Sequence, residues 1–493
     1  MPEHFDVLIV GAGISGIAAA YHLQDQLPDA SFAILESQNG FGGTWKTHRY
    51  PGIRSDSDLY TFGYRFKPWV GPPIASGTEI MRYLEEVIEE NDIAQHIRYR
   101  HHVQAARWSS DDNLWTLSAT NLDTGETREF TAGFLWMCQG YYRHDKGYTP
   151  NWDGMADFGG QIIHPQNWPE DFDTSDKRVV VIGSGATAAT IVPAMAGKCA
   201  HVTMLQRSPT YFFIRPNVHE LAQALREIEI DEDVIHPIVR KRILFDQNAF
   251  IQRCAAEPEE VRQELLALVR AHAGEKVDIE KHFSPGYRPW RQRLALVPDG
   301  DLFQAIRDGH ASVITDEIER FTDSGIQLKS GDKIEADIIV TATGFNLNVL
   351  GDIDFIIDGA PLDFHETLTY RGMMFTGMPN MVWVFGYFRA SWTLRSELIA
   401  DFVCRLLTHM KAKGAKRVEP MLRAAEQDMT LGPWMDPKDF NPGYLMRGMH
   451  LLPKRGTTRD WQHTQDYWHE KDEFPQIDLT DEVFVYDGNR ASA

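Results

Sequence analysis

A strand, a glycine-rich turn, a helix and a second strand occur twice in this chain, and that doubled unit constrains its fold more than anything else. Residues 5–10 read as a buried strand, Gly11-Ala12-Gly13-Ile14-Ser15-Gly16 follows at once, residues 17–23 open a helix, and a strand at 31–35 ends in Glu36. In such a unit Gly11 permits the tight turn, Gly13 lets the backbone approach a pyrophosphate, and Gly16 lets helix and strand pack closely. The free N–H groups of the helix start would face the anion, and Glu36 stands where an acid accepts hydrogen bonds from ribose hydroxyls. The first unit therefore predicts a dinucleotide site, which by contrast with the second unit should take FAD.

The second unit carries one informative change. Residues 178–182 lead into Gly183-Ser184-Gly185-Ala186-Thr187-Ala188 and a helix to Met195, with Ala188 in place of the third glycine. The following strand, 201–206, ends in Arg207 rather than an acid, followed by Ser208. An acid there would repel a 2′-phosphate, whereas a guanidinium can grip it with two hydrogen bonds. The second site is expected to take NADPH in preference to NADH.

A third segment, residues 337–345, reads as a buried strand ending in Ala342-Thr343-Gly344. It resembles the stretch where flavoproteins with two dinucleotide-binding domains return to the FAD domain. The expected architecture is α/β with two Rossmann-like dinucleotide-binding domains. The FAD domain is placed at 1–145 and 338–493, and the NADPH domain at 146–337 with a helical insertion at about 217–285. In that insertion Pro258 starts a helix with Val261, Leu265, Leu268 and Val269 on one face and a stop at Gly274. A hairpin turn is expected at Ser330-Gly331-Asp332, a helix from Ser391 to about Met410, and irregular covering structure beyond about 430.

A chain of 493 residues exceeds what one core usually supports, so several domains are expected. A net charge of −21 argues against nucleic acid or an anionic membrane as the main partner. Cys138, Cys199, Cys254 and Cys404 lie far apart without CxxC or metal spacing, which suits structural thiols in a reducing cytoplasm and predicts no metal. No apolar run approaches the roughly 18–20 residues that span a bilayer, and the strand at Phe5 leaves no room for a signal peptide. Oligomeric state is not readable.

Two longer patterns add chemistry. Between the loops lies Phe158-Gly159-Gly160-Gln161-Ile162-Ile163-His164-Pro165-Gln166-Asn167-Trp168-Pro169, and after the first loop comes Gly42-Gly43-Thr44-Trp45, then Tyr50-Pro51-Gly52 and Asp56. These resemble the FxGxxxHxxxWP and GGxWxxxxYPGxxxD patterns of type I Baeyer–Villiger monooxygenases, in the flavin-containing monooxygenase superfamily. The resemblance runs over essentially the whole chain. Residues 50–69 and 289–303 look most like the ethionamide-activating branch.

That resemblance implies the rest of the site. Asp56 corresponds to the aspartate beside the flavin, and Arg293, in Trp290-Arg291-Gln292-Arg293-Leu294, to the family's mobile active-site arginine. Ser15, Gly43, Thr44, Trp45, Val103 and Gly344 are implied at FAD, and Arg54 at NADPH. By resemblance, NADPH reduces FAD, a C4a-peroxyflavin forms with O₂, and one oxygen is inserted beside a ketone carbonyl to give an ester or lactone. The alternative is S- or N-oxygenation of sulfides, thioamides or amines. A flavin disulfide reductase would need a redox cysteine pair, which the sequence lacks, and a non-enzymatic flavin sensor predicts a degraded site. Aromatic and methionine content near the pocket suggests an apolar small-molecule substrate. His164 is expected to bond backbone rather than act as acid or base, and Trp168 to pack. Trp168 also separates this pattern from related N- and S-oxygenases, which usually carry Phe or Tyr there. Many relatives have lysine where this chain has Gln292, so selectivity for NADPH leans on Arg207.

Overall fold

Two sheets, each with a glycine loop at the carboxyl end of a central parallel strand, organise the computed structural model, which describes residues 2–487. Residues 488–493 of the expected flavin piece lie outside the described residues. The chain is α/β with two Rossmann-like units. In the first, strand Glu3–Val10 lies between Phe32–Leu35 and Thr127–Met137, parallel to both. Its run Val7–Val10 is buried on both faces, as the apolar sequence of a central parallel strand requires. An antiparallel meander through His101–Ser109 and Leu114–Asn121 extends this sheet, and with Met381–Trp383 parallel to Thr127–Met137 and the outer strands Ile97–Arg98, Asp354–Ile357 and Ala360–Pro361 it has nine strands among the described residues.

The second sheet has five parallel strands in the order Ala311–Thr315, His201–Gln206, Arg178–Ile182, Ile338–Thr341, Gln161–Ile163. The strand Ile338–Thr341, which the sequence assigned to the flavin piece, therefore pairs inside the second unit. We place the divide after Thr341, where the chain turns back towards the first unit. The hairpin at Ser330-Gly331-Asp332 joins Gly325–Leu328 to Lys333–Glu335, with Gly331 at φ +96°.

The helical excursion comprises Glu220–Glu227, Glu232–Ala256, Pro258–Ala273 and Ile279–Phe283. It belongs to both units rather than to the NADPH unit alone. Ala222, Ile235, Val239 and Ile243 share the first unit's core with Ile17, Leu84 and Ile399, while Leu266 and Val269 pack in the second unit's core. Buried Arg240 donates to the carbonyls of Tyr60, Thr61 and Gly63 at 2.8–3.3 Å and pairs with Glu397 at 3.1 Å. Breaking one partner of such a buried pair typically costs about 3–5 kcal/mol. In helix Pro258–Ala273 the buried face is Val261, Leu265, Leu266 and Val269, and Leu268, expected on it, is 36% exposed because the helix also turns Leu266 inward. Among the described residues beyond 430 only short elements occur. Among the described residues no helix is long and apolar enough to cross a membrane, and the four cysteines are free.

Candidate functional site

The first loop is closed by its own backbone. Gly11 adopts φ +102°, and a Cβ on Gly16 would lie 1.9 Å from the Gly11 carbonyl oxygen, so only glycine lets helix Ile14–Gln26 start there. Gly13 caps that helix without a side-chain bond, which leaves the first N–H groups for a ligand. Glu36 is 5% exposed. Its Oε2 accepts from the Ala12 N–H and its Oε1 from the Gln38 N–H, each at 2.7 Å. Burial pushes its pKa up, and the hydrogen bonds from Gln38, Ala12 and Ser37 oppose that. The acid placed for a ribose thus also clasps the turn.

The second loop is built alike but left open. Gly183 has φ +131°, Gly185 caps helix Ala186–Met195 without a side-chain bond, and Ala188 is fully buried where the third glycine would stand. Ser184 Oγ lies 2.8 Å from Thr210 Oγ1, and Arg207 and Ser208 are exposed at the mouth. Glu317 senses the charge of Arg207 but pairs with Lys329 at 2.6 Å.

The stretch from Tyr50 to Asp56 joins the two units. Buried Tyr50 bonds Thr187, and burial pushes its phenol up to about 12. A Cβ on Gly52, at φ +74°, would meet Ala194 Cβ at 2.6 Å, so the segment rides directly on helix Ala186–Met195. Arg54 donates to the Ala189 carbonyl at 3.3 Å and pairs with Asp301 at 2.5 Å. Asp56 Oδ2 lies 3.0 Å from Arg293 Nη2. Burial alone would lower the pKa of Arg293, but Asp56 and the phenols of Tyr141, Tyr444 and Tyr142 more than reverse this. The guanidinium stays charged. Its loop turns at Trp290, a non-glycine residue held at φ +62°.

One cavity of about 1000 Å³ runs between the loops. Every residue expected at either nucleotide lines it except Gly16 and Ala188. Those two lie one turn back: Gly16 sits against the Gly11 carbonyl and Ala188 is fully buried, the packing role of the third loop position. The space suits two dinucleotides: a Cβ on Gly13 would meet only Gly43 Cα at 3.8 Å, and one on Gly185 nothing within 4 Å. Both helix starts therefore face open room of the kind a phosphate fills. Val103 is buried in the wall, and Gly344 presents its carbonyl to His164.

His164 donates from Nε2 to the Gly344 oxygen at 3.1 Å and accepts the Gln166 N–H on Nδ1 at 3.2 Å. Burial lowers its pKa, which keeps the ring neutral in this arrangement. The fingerprint string supplies the edge strand Gln161–Ile163, and Trp168 packs edge-on against Phe172 at 5.7 Å.

Sequence reasoning missed several lining residues. Tyr141 and Tyr142 follow Cys138-Gln139-Gly140 at the carboxyl end of strand Thr127–Met137, the crevice position of an open parallel sheet, which was a usable signal. Tyr444 carries no such signal. The region near Trp392 was, by contrast, expected from the sequence to shape the pocket: Trp392 starts helix Trp392–Lys413 at the cavity and donates to Ser15 Oγ at 2.8 Å. Ser391 occupies the cap position but does not cap, because its hydroxyl pairs with Thr61 Oγ1 at 2.7 Å.

The comparisons with known proteins agree with this geometry. A family model described as flavin-binding monooxygenase-like matches residues 70–220, and one described as NAD(P)-binding Rossmann-like domain matches residues 9–85. The chain is 47% identical to the FAD-containing monooxygenase EthA of Mycolicibacterium smegmatis over 470 residues, covering 95% of this chain and 94% of that one. It is 43% identical over 492 residues to the probable FAD-binding monooxygenase AlmA of Acinetobacter baylyi, covering 99% and 97%. A steroid monooxygenase bound to NADP superposes with a TM-score of 0.75 at 21% identity, over 98% of this chain and 99% of that one.

Proposed function

The chain belongs to the flavin-binding monooxygenase family, and on that premise we propose that it is an NADPH- and O₂-dependent Baeyer–Villiger monooxygenase acting on an apolar ketone. A ketone, O₂, NADPH and a proton would give an ester or lactone, water and NADP⁺. FAD, when bound at the first loop, supplies hydride acceptance and oxygen activation. The protein's part is to bind, orient and stabilise charge. Glu36 and the free N–H groups of helix Ile14–Gln26 would hold FAD, while Arg207 and the start of helix Ala186–Met195 would hold NADPH.

The observation that carries this reading is the Asp56–Arg293 ion pair at 3.0 Å, set in the cavity between the two loops. Arginine keeps its proton at any working pH, and Asp56 fixes its position. A guanidinium held there would favour negative charge developing on an attacked carbonyl. Preorganised stabilisation of this kind is typically worth about 3–4 kcal/mol. The second reading is oxygenation at sulfur or nitrogen. The similarity to EthA favours keeping it, because that relative is named only as a monooxygenase.

The test uses ¹⁸O₂ and NADPH with a ketone and, separately, a thioether. Label in the ester is expected, and label only in the sulfoxide moves the assignment to the second reading. Arg293→Ala should retain flavin while ester formation falls by about 10²–10³-fold. Ester formation at the wild-type rate would remove Arg293 from the chemistry.

A further inference from the structure

Beside Arg293 stand three phenols that the reaction as described above does not use. Tyr141 donates to Tyr142 Oη at 2.7 Å, and their rings lie 3.9 Å apart. The ring of Tyr444 lies 5.7 Å from that of Tyr142 and 6.4 Å from that of Tyr141. Each phenol is coupled to the charge of Arg293, and all three line the cavity. The positions are held from both sides. Residues 141–143 pair with 346–348 through Asn348 N–H to the Tyr141 carbonyl (2.9 Å) and Arg143 N–H to the Asn346 carbonyl (3.0 Å). The segment before Tyr444 is tied to the arginine loop by Asn441 N–H to the Arg291 carbonyl at 3.1 Å.

Tyr142 receives the hydroxyl of Tyr141, and the buried Tyr444 Oη, coupled to both of those phenols, forms no hydrogen bond of good geometry among the described residues. Burial pushes all three phenols up, so they remain protonated donors. Asp56, the anion nearby, is engaged by Arg293 and by the Ser57 hydroxyl at 3.3 Å. A buried donor without a partner is costly, and a ligand acceptor would recover that cost. Around this end the walls are aromatic: Phe345 lies 4.6 Å from Tyr142, and Trp392 stacks on Tyr141 at 5.0 Å.

We propose that Tyr142 and Tyr444, with Arg293, hold the acceptor oxygen of the substrate, and that this end of the cavity selects neutral carbonyl compounds over protonated amines. The proposal rests on the ketone reading above. A carbonyl oxygen accepts two O–H donors and a guanidinium N–H, with its apolar body against Phe345 and Trp392. An ammonium in the same place meets the Arg293 cation, and that like-charge repulsion discriminates against it.

The experiment measures equilibrium binding by calorimetry to the FAD-loaded protein with NADP⁺, so that no turnover occurs. Three probes are compared: methyl hexyl ketone, the alkene with a methylene in place of its oxygen, and the amine with an ammonium in its place. Tyr142→Phe and Tyr444→Phe keep the rings, and flavin content checks their folding. Each is expected to raise the ketone Kd by about 3- to 10-fold, the range of one net hydrogen bond, while leaving alkene binding unchanged. The amine should bind wild type at least about tenfold more weakly than the ketone. A ketone Kd that the double variant leaves unchanged overturns the proposal, as does equal weakening of ketone and alkene. An amine that binds as well as the ketone overturns the selectivity. Phenol-dependent ketone binding without ester in the labelling test would sink the proposed function and leave this inference standing. Ester formation with phenol-independent binding would do the reverse, and a wild-type protein that binds no ketone overturns both.

Discussion

The two nucleotide loops share a backbone plan but differ in how much of each is finished before a ligand arrives. At the first, Glu36 is buried and already engaged by the Ala12 and Gln38 N–H groups, and the Gly43 backbone closes over Gly13, where a Cβ on Gly43 would meet Gly13 Cα at 3.2 Å. At the second, Gly185, Ala186, Arg207 and Ser208 are exposed, and no Cβ contact would arise at Gly185. The difference matches the two tasks proposed. A cofactor that stays through many turnovers gains from a preformed, enclosed cradle, whereas one that must leave each cycle needs an open rim.

The harshest way to break the comparison is Gly16→Ala. Its Cβ would fall 1.9 Å from a backbone oxygen, which no rotamer can relieve, so the helix start must shift. We expect about 3 kcal/mol of lost stability and a protein purified without flavin colour. Ala188 sits at the equivalent place in the second loop and is already accommodated there, fully buried. If Gly16→Ala kept its flavin and melting temperature, the first loop would be as permissive as the second and the contrast would collapse.

A smaller perturbation sharpens the same point. Glu36→Gln keeps the shape but offers one acceptor oxygen in place of two charged ones. Hydrogen bonds to charged groups are worth roughly 1.5–3 kcal/mol, so flavin affinity should fall by about 10- to 100-fold. The KM for NADPH should be unmoved. Titrating apoprotein with FAD and following flavin fluorescence measures the first quantity. An equal rise in KM for NADPH would mean that the two loops report on one another.

How much of this was legible follows from the range of the interactions. The loops and their terminal residues are local: strand, turn, helix and acid or base lie within a few dozen residues, and the periodic pattern exposes them. The pairing of Asp56 with Arg293 spans most of the second unit and came only from family resemblance. The roles of Tyr50, Gly52 and Arg54 as a seam on helix Ala186–Met195 had no sequence signal, because a buried tyrosine or a tight glycine looks the same wherever it packs. The strand Ile338–Thr341 was recognised as a strand and assigned to the wrong sheet. Its apolar run fits any central parallel position, and only the register against Arg178–Ile182 and Gln161–Ile163 decides. The helical excursion misled in the same way, since amphipathic periodicity shows that a face is buried but not against which unit.

The gentlest test lies at the open rim. Arg207→Ala removes the exposed guanidinium expected at the 2′-phosphate, and Gln292, which lines the same cavity, offers no charge to replace it. Water screens an exposed pair, so its worth lies towards the low end for charge-assisted bonds, about 1–1.5 kcal/mol. The KM for NADPH should rise by roughly 5- to 12-fold, while that for NADH, which lacks the phosphate, stays put. Anaerobic reduction with each nucleotide reads this directly, because bleaching of the flavin follows the hydride step alone. A parallel rise for both nucleotides would show that Arg207 shapes the loop instead of reading the phosphate. In that case the second site would be, like the first, a cradle whose charged residue serves its own backbone.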